Sequence, residues 1–304
     1  MDVVVRPASG WREITRIIEL QQHAWGEVMV RQMIARTISA GGGQALVAEV
    51  DGHIVGFSLA IFKMHIERGY LYWFSELVGV LPSQQAGGIG HAIKLAQREQ
   101  MLRFMEERPK LGVHPEMRWT VDPLLSKNAA LNFRKCGAYA TSVYPNLYGE
   151  LGGTLYGSEP TDRFSVFWDL RRETRAPEFD HDAPLLLDPK SLEVNAELVE
   201  EAERHDNLLL PIPTDLPALR QYDAEAAAHW KRQAVSVLVQ LLDVRDGQGR
   251  ITSTGRFFVV NATRDPLGGH SLLMLQNRRV PREDGTWLGD DDGRRDGMPS
   301  DSPR

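Results

Sequence analysis

Apolar residues recur along this chain at two spacings, and each spacing predicts an element. "DVVVRP" (2–7) is a short β-rich run ended by a proline, read as a strand. "WREITRIIELQQHAWG" sets Ile14, Ile17, Ile18 and Trp25 at helical intervals, and Gly26 stops it. "EVMVRQMIARTISAGGG" reads as a second helix, broken by glycines. "QALVAEVDGHIVGFSLAIFKM" is a hairpin, because two β-rich runs flank Asp51-Gly52, a dipeptide suited to a tight primed turn. "GYLYWFSELVGVLP" is aromatic and β-branched and reads as another strand. The glycine-rich "SQQAGGIG" follows, then a helix over about Ile89–Glu107, with Ile93, Ala96, Met101 and Phe104 as its apolar face.

"MRWTVDP" reads as a short strand, and "SKNAALNFRKCGA" as a short helix with Ser126 near its start and Gly137 near its end. "RFSVFWDL" alternates like a strand. The expected order is strand, two helices, three strands, helix, strand, helix, strand. That is a mixed α/β layer with an antiparallel meander, without internal repeat. After Leu170 the character shifts. "RRETRAPEFDHDAPLLLDPKS" reads as a connection, "LPIPTDLPALRQYD" as a proline-punctuated loop and "AEAAAHWKRQAVSVLVQLLDV" as a strong helix. "GRFFVVN" and "HSLLMLQ" read as a final strand pair. Three regions are expected: 1–172 as one domain, 173–280 as a C-terminal α/β extension, and 281–304, poor in core formers, as a disordered tail.

Composition narrows the classes. The 304 residues are 42% hydrophobic, ordinary for a globular protein. The net charge of −6 argues against a sequence-independent nucleic-acid binder, which needs a basic surface. Cys136 is the single cysteine, so no intrachain disulfide and no cysteine-based zinc site can form. The nine histidines show no metal-binding spacing, and no metal is expected. No apolar stretch is long enough for a bilayer and the N-terminus lacks signal-peptide character, so the expectation is a cytoplasmic enzyme or binding protein without a membrane partner.

Candidate chemistry centres on Gln85-Ala86-Gly87-Gly88-Ile89-Gly90. Strand, glycine loop and helix together make an anion cradle. The glycines let a ligand approach, and the helix start leaves amides unpaired with positive partial charge. The alternative is a glycine turn that only packs. A nucleotide-triphosphate loop would continue Gly-Lys-Ser or Gly-Lys-Thr, but Gly90 is followed by His91 and Ala92. A dinucleotide fingerprint belongs early in a βαβ unit, and here the preceding elements are a hairpin and a meander.

Q-x-x-G-x-G after a strand ending "VGVLP" resembles the acyl-CoA-binding motif of the GNAT superfamily of N-acetyltransferases, with Gln85, Gly88 and Gly90 at the motif positions. "RWTVDPLLSKNAALNFRKCGA", "YPNLYGE", "TDRFSVFW" and the later "LPIPTDLPAL…HWKRQ" are similar to a subgroup of long GNAT proteins. The resemblance implies a GNAT-like acyl-CoA N-acyltransferase fold. It implies acetyl-CoA or another acyl-CoA as co-substrate, with its pyrophosphate on the amides of Ala86, Gly87, Gly88, Ile89, Gly90 and His91. The pantetheine arm would pair with the strand edge at Val78 and Val80, and Asn128 or Asn132 would meet it from the other side. The alternative for each asparagine is a local cap.

The resemblance also implies direct attack of an amine on the thioester, with a base to take the amine's proton. Glu76 is the candidate. It shares side-chain parity with Phe74, Val78 and Val80 if no bulge intervenes. Burial would raise its pKa and suit it to the task; the alternative is that it faces solvent or pairs with an arginine. The family's oxyanion donor is a backbone N–H near Val78. Its thiolate acid is a tyrosine four residues before the helix-ending glycine, where this chain has Phe133. Tyr139, Tyr144 or Tyr148 then serves instead, or the thiolate leaves unprotonated. The expected reaction is transfer of an acetyl or longer acyl group to the amine of a small molecule or amino acid. The alternatives are a non-catalytic acyl-CoA-binding module of the same fold, or a structural protein with an incidental turn. Trp230, Lys231 and Arg232 are expected to fix the extension onto the first domain, which covers the acceptor site or pairs two copies into a homodimer.

Overall fold

The computed structural model describes residues 2–25, 43–66, 68–149, 160–172, 175–264 and 270–280. The expected second helix and the expected tail lie outside these residues. The first strand, β1 (Val3–Pro7), leads to α1 (Gly10–Trp25). Three long strands follow: β2 (Gly43–Val50), β3 (His53–His65) and β4 (Tyr70–Val80). The β2–β3 turn is the expected hairpin, with Asp51 and Gly52 both at positive φ, as a primed turn requires. A 3₁₀ turn (Pro82–Gly87) then delivers the chain into α2 (Ile89–Glu107), the span read from the sequence.

β5 (Val113–Val121) is followed by a short helix, α3 (Ser126–Ala129), which widens into a π-helical turn over Ala130–Lys135. β6 (Tyr139–Tyr144) and β7 (Arg163–Asp169) close the first half. Beyond them come α4 (Ala196–Glu200), β8 (Asn207–Ile212), α5 (Leu216–Tyr222), α6 (Ala224–Leu241) and β9 (Asp243–Arg245). The last strands are β10 (Ile251–Ser253), β11 (Phe257–Arg264) and β12 (Ser271–Asn277).

All twelve strands belong to one sheet, ordered β1-β2-β3-β4-β5-β7-β6-β11-β12-β8, with β9 joining β6 to β10. β4 and β5 are parallel, as are β6 and β9; every other named pair is antiparallel. The sheet therefore runs unbroken past residue 172, because β6 carries β11 and β9 on the side away from β7. One apolar cluster joins Trp168 and Leu170 to Leu210, Leu238 and Leu275. The extension also attaches through Lys231, whose Nζ donates to the Pro160 carbonyl and lies 3.6 Å from Asp162.

Three readings need correction. The stretch after Gly137 received no element, yet it forms β6. "LPIPTDLPALRQYD" is not a loop: it holds the end of β8 and all of α5. The buried face of α2 is Ile89, Ile93, Lys94, Gln97 and Met101, so two polar side chains lie where only apolar ones were expected.

Candidate active site

The site is built where β4 and β5 part. Their parallel ladder runs from Leu71↔Val113 through Trp73↔Met117 and ends at Phe74↔Arg118. Past that pair β4 continues to Val80 and β5 to Val121 without pairing to each other. β4 stays bonded to β3 on its far side as far as Gly56↔Val80. Residues 75–80 therefore keep one satisfied edge and, among the described residues, one open edge. An open edge offers N–H and C=O groups to an extended ligand. Val78 and Val80 lie on this segment, half-buried.

A β-bulge sits inside it. Ala60 faces Ser75 and Leu59 faces Leu77, so Glu76 is the extra residue. The bulge resets the alternation. Val78 and Val80 pack with Ile89 and Ile93 of α2, while Leu77 packs on the α1 side. The parity expected to join Glu76 with Phe74, Val78 and Val80 is thereby lost. Glu76 is also not buried and isolated. Its carboxylate lies 3.3 Å from Lys63 Nζ on β3, and that ammonium stands 3.3 Å above the Phe74 ring centroid.

The glycine stretch is tighter than an open loop. Gln84 N–H donates to Leu81 O, and the exposed Gln85 donates its side-chain amide to Val80 O at 3.3 Å. Gly88, at φ 77°, is the left-handed residue that turns the 3₁₀ segment into α2. The amides of His91 and Ala92 both bond to Gly88 O. His91 N–H is thus already engaged, and the anion-facing start of α2 narrows to the amides before it. Burial, with Lys135 nearby, holds the His91 imidazole below its ordinary pKa. Ile89 faces the core and is fully buried. Gly56 lets α2 close on the sheet, since a Cβ there would meet Ile93 Cδ1 at 3.1 Å and Gly79 O at 3.2 Å.

Across the gap, Leu131 approaches Gly90, where a Cβ would lie 3.4 Å from Leu131 Cδ2. This sets the asparagine-bearing segment beside the glycine turn. Asn132 is buried in the π-helical turn and Asn128 is half-buried one turn earlier. π-Helical turns recur at functional sites. Phe133 is fully buried, edge-to-face with Phe164 at 6.1 Å. Tyr139 is buried between Phe167 and Phe258. Tyr148 is exposed, with its hydroxyl 2.9 Å from Thr120 Oγ1, on the part of β5 that pairs with β7 but not with β4. Cys136 is a buried thiol pushed up to about 11 by desolvation, as expected of a small core residue.

Two polar clusters escaped the sequence reading. Glu116, fully buried on β5, is held by Arg118 Nε at 2.8 Å, His114 Nδ1 at 3.1 Å and the Tyr70 hydroxyl at 3.3 Å. Lys94 of α2 reaches the start of the gap, with Nζ donating to Ser75 Oγ at 3.0 Å. Neither follows a motif. The signal for Lys94 was its place one residue after Ile93, on the face that Ile89 and Ile93 turn inward.

A meander, a parallel pair that parts after Phe74↔Arg118, and a glycine turn opening a helix together make up the site. No protein-family model matches the chain, and no curated protein matches it significantly. Solved structures similar to it include acetyltransferases. Arabidopsis thaliana NAA60 in complex with a bisubstrate analogue is 12% identical, with a TM-score of 0.43; the likeness covers 55% of this chain and 97% of that one. The ribosomal-protein-S18-alanine N-acetyltransferase from Escherichia coli is 13% identical, with a TM-score of 0.41, over 59% of this chain and all (100%) of that one. An acetyltransferase from Bacillus subtilis in complex with CoA is 13% identical, with a TM-score of 0.38, over 55% and 99%. Among the described residues, no group of His, Cys, Asp and Glu is arranged to hold a metal ion. No described helix is long and apolar enough to cross a membrane.

Proposed function

We propose that the protein is an acyl-CoA-dependent N-acyltransferase that moves an acetyl or longer acyl group to the amine of a small molecule or amino acid. The observation that carries this reading is the open edge of β4 at residues 75–80, leading directly into Gly88 and the start of α2. One extended ligand with an anionic end satisfies both features: a strand-like arm on the edge and a pyrophosphate at the helix start. In this reading Asn128 and Asn132 meet the arm from the far side of the gap. The three likenesses to acetyltransferases accord with this reading.

Glu76 takes the acceptor's proton in this scheme. The bulge places it where the open edge begins, and Lys63 holds the carboxylate on the side away from α2. The neutral amine attacks the thioester carbon, and a backbone N–H near Val78 stabilises the oxyanion. The acceptor enters from the α1 face, and the extension braces β6 and β7.

A second reading has one observation in its favour: Phe133 is sealed in the core, so the usual tyrosine acid is absent and the fold could hold acyl-CoA without turning it over. Incubating the protein with acetyl-CoA and a panel of amines and amino acids, and following free thiol, separates the two. Thiol release above hydrolysis, slowed at least tenfold in Glu76→Gln, is expected. Binding without release from any amine would leave only the binding module.

A further inference from the structure

Lys94 is buried at the floor of the gap, and among the described residues no carboxylate acts on it. Its Nζ touches Ser75 Oγ from β4 at 3.0 Å, Met117 Sδ from β5 at 4.0 Å and the Trp119 ring at 3.8 Å from its centroid. Ser75 and Trp119 are the first residues of β4 and β5 beyond their last pair, Phe74↔Arg118. The amine therefore stands where the strands part. Ser75 donates its hydroxyl hydrogen bond to Gln97 Oε1 at 3.3 Å, which leaves Ser75 Oγ as the acceptor for Lys94. Among the described residues, the titratable group that acts on it is the Cys136 thiol, which burial keeps neutral. Gln97 Nε2 and Trp119 Nε1 are buried there without a hydrogen-bond partner. The floor of the gap is thus rich in donors and poor in acceptors.

We propose that Lys94 receives the departing coenzyme A thiolate, neutralising the developing charge on sulfur and returning a proton to it. This rests on the acyltransfer reading above and fills the role that Phe133 cannot. As the acceptor nitrogen bonds to the acyl carbon, the C–S bond breaks and its electron pair goes to sulfur. One proton moves from the Lys94 ammonium to that sulfur, giving the free thiol. The lysine regains a proton from solvent after product release. A buried cation without a counter-ion gains most from an anion that appears only as the reaction proceeds. Burial pulls the ammonium from its ordinary 10.5 to about 7, so it can both give and regain a proton near neutrality.

The test needs no acceptor. Free CoA is bound to the wild-type protein and to Lys94→Met, an unbranched side chain one atom shorter that removes the charge. Thiolate absorbance is followed against pH, and thermal shift reports binding. In the wild type the bound thiol should show roughly tenfold more thiolate at neutral pH than CoA in solution, and Lys94→Met should abolish that gain. Equal titration in the two proteins, both stabilised by CoA, would overturn the role of Lys94 and leave the acyltransferase reading standing. Absence of any CoA stabilisation of the wild type would overturn both. If only the variant loses CoA, the wild-type titration decides alone: a bound thiol that titrates as in solution refutes the proposal.

Discussion

Lys94 makes the stability of the molecule depend on pH in a direction set by its burial. In the unfolded chain the amine titrates near 10.5, in the fold near 7. Between those values the unfolded state binds more protons, so stability rises with pH across that window. Below pH 7 both states carry the charge, and the cost to the fold is full, on the order of 5 kcal/mol. Lys94→Met should therefore raise the thermal midpoint clearly at pH 6, with a benefit that shrinks towards pH 10. A constant difference at all pH values would show that the amine is not desolvated. Glu76 teaches the opposite lesson about single residues. Its place on the strand was legible, but its partner was not, because Lys63 comes from the neighbouring strand and a bulge cannot be seen in an alternation that was only assumed.

At the scale of elements, physical context explains both the successes and the misses. α2 was legible to the residue because a left-handed glycine opens it. β6 was missed because "YATSVY" is buried on both faces, which leaves no alternation to read. β8 was read as loop because of Pro211, yet β8 ends the sheet order, and an edge strand tolerates a missing N–H. α5 was hidden by Pro217, which occupies the first turn where proline is at home; Asp215 caps the helix by accepting from Ala218 N–H at 3.1 Å. The predicted helix end at Gly137 was right for more than one reason. That residue has φ 64°, and an added Cβ would sit 2.7 Å from the Arg175 backbone nitrogen. Gly137→Ala should cost roughly 2–3 kcal/mol in denaturant unfolding. Gly88→Ala, at φ 77° but with open space around the new methyl, should cost only about 1 kcal/mol. Equal losses at the two sites would contradict the close approach at Arg175.

For the whole molecule, the sheet and the main core do not stop where the composition changes. β11 and β9 cover β6, and the cluster around Trp168 and Phe133 is completed by Leu210, Leu238 and Leu275. A fragment of residues 1–172 should lose cooperative thermal unfolding, as read by circular dichroism, even though it contains every residue assigned to acyl-CoA. A fragment that unfolds as sharply as the full chain would show the extension to be dispensable. The order of elements from β2 to α3 was legible because local pattern determines it. The fusion of the two halves was not, because long-range strand pairing leaves no mark in a local window.

The central claim is that the open edge of β4 and the start of α2 hold an acyl-CoA, and thermal shift with acetyl-CoA measures it most directly. A ligand that binds only the folded state at a hundred times its dissociation constant adds about 2.7 kcal/mol, so the midpoint should rise by about 5 °C or more. Gly88→Ala should blunt that rise. An unchanged midpoint of the wild-type protein at near-millimolar acetyl-CoA, succinyl-CoA and free CoA would contradict the claim.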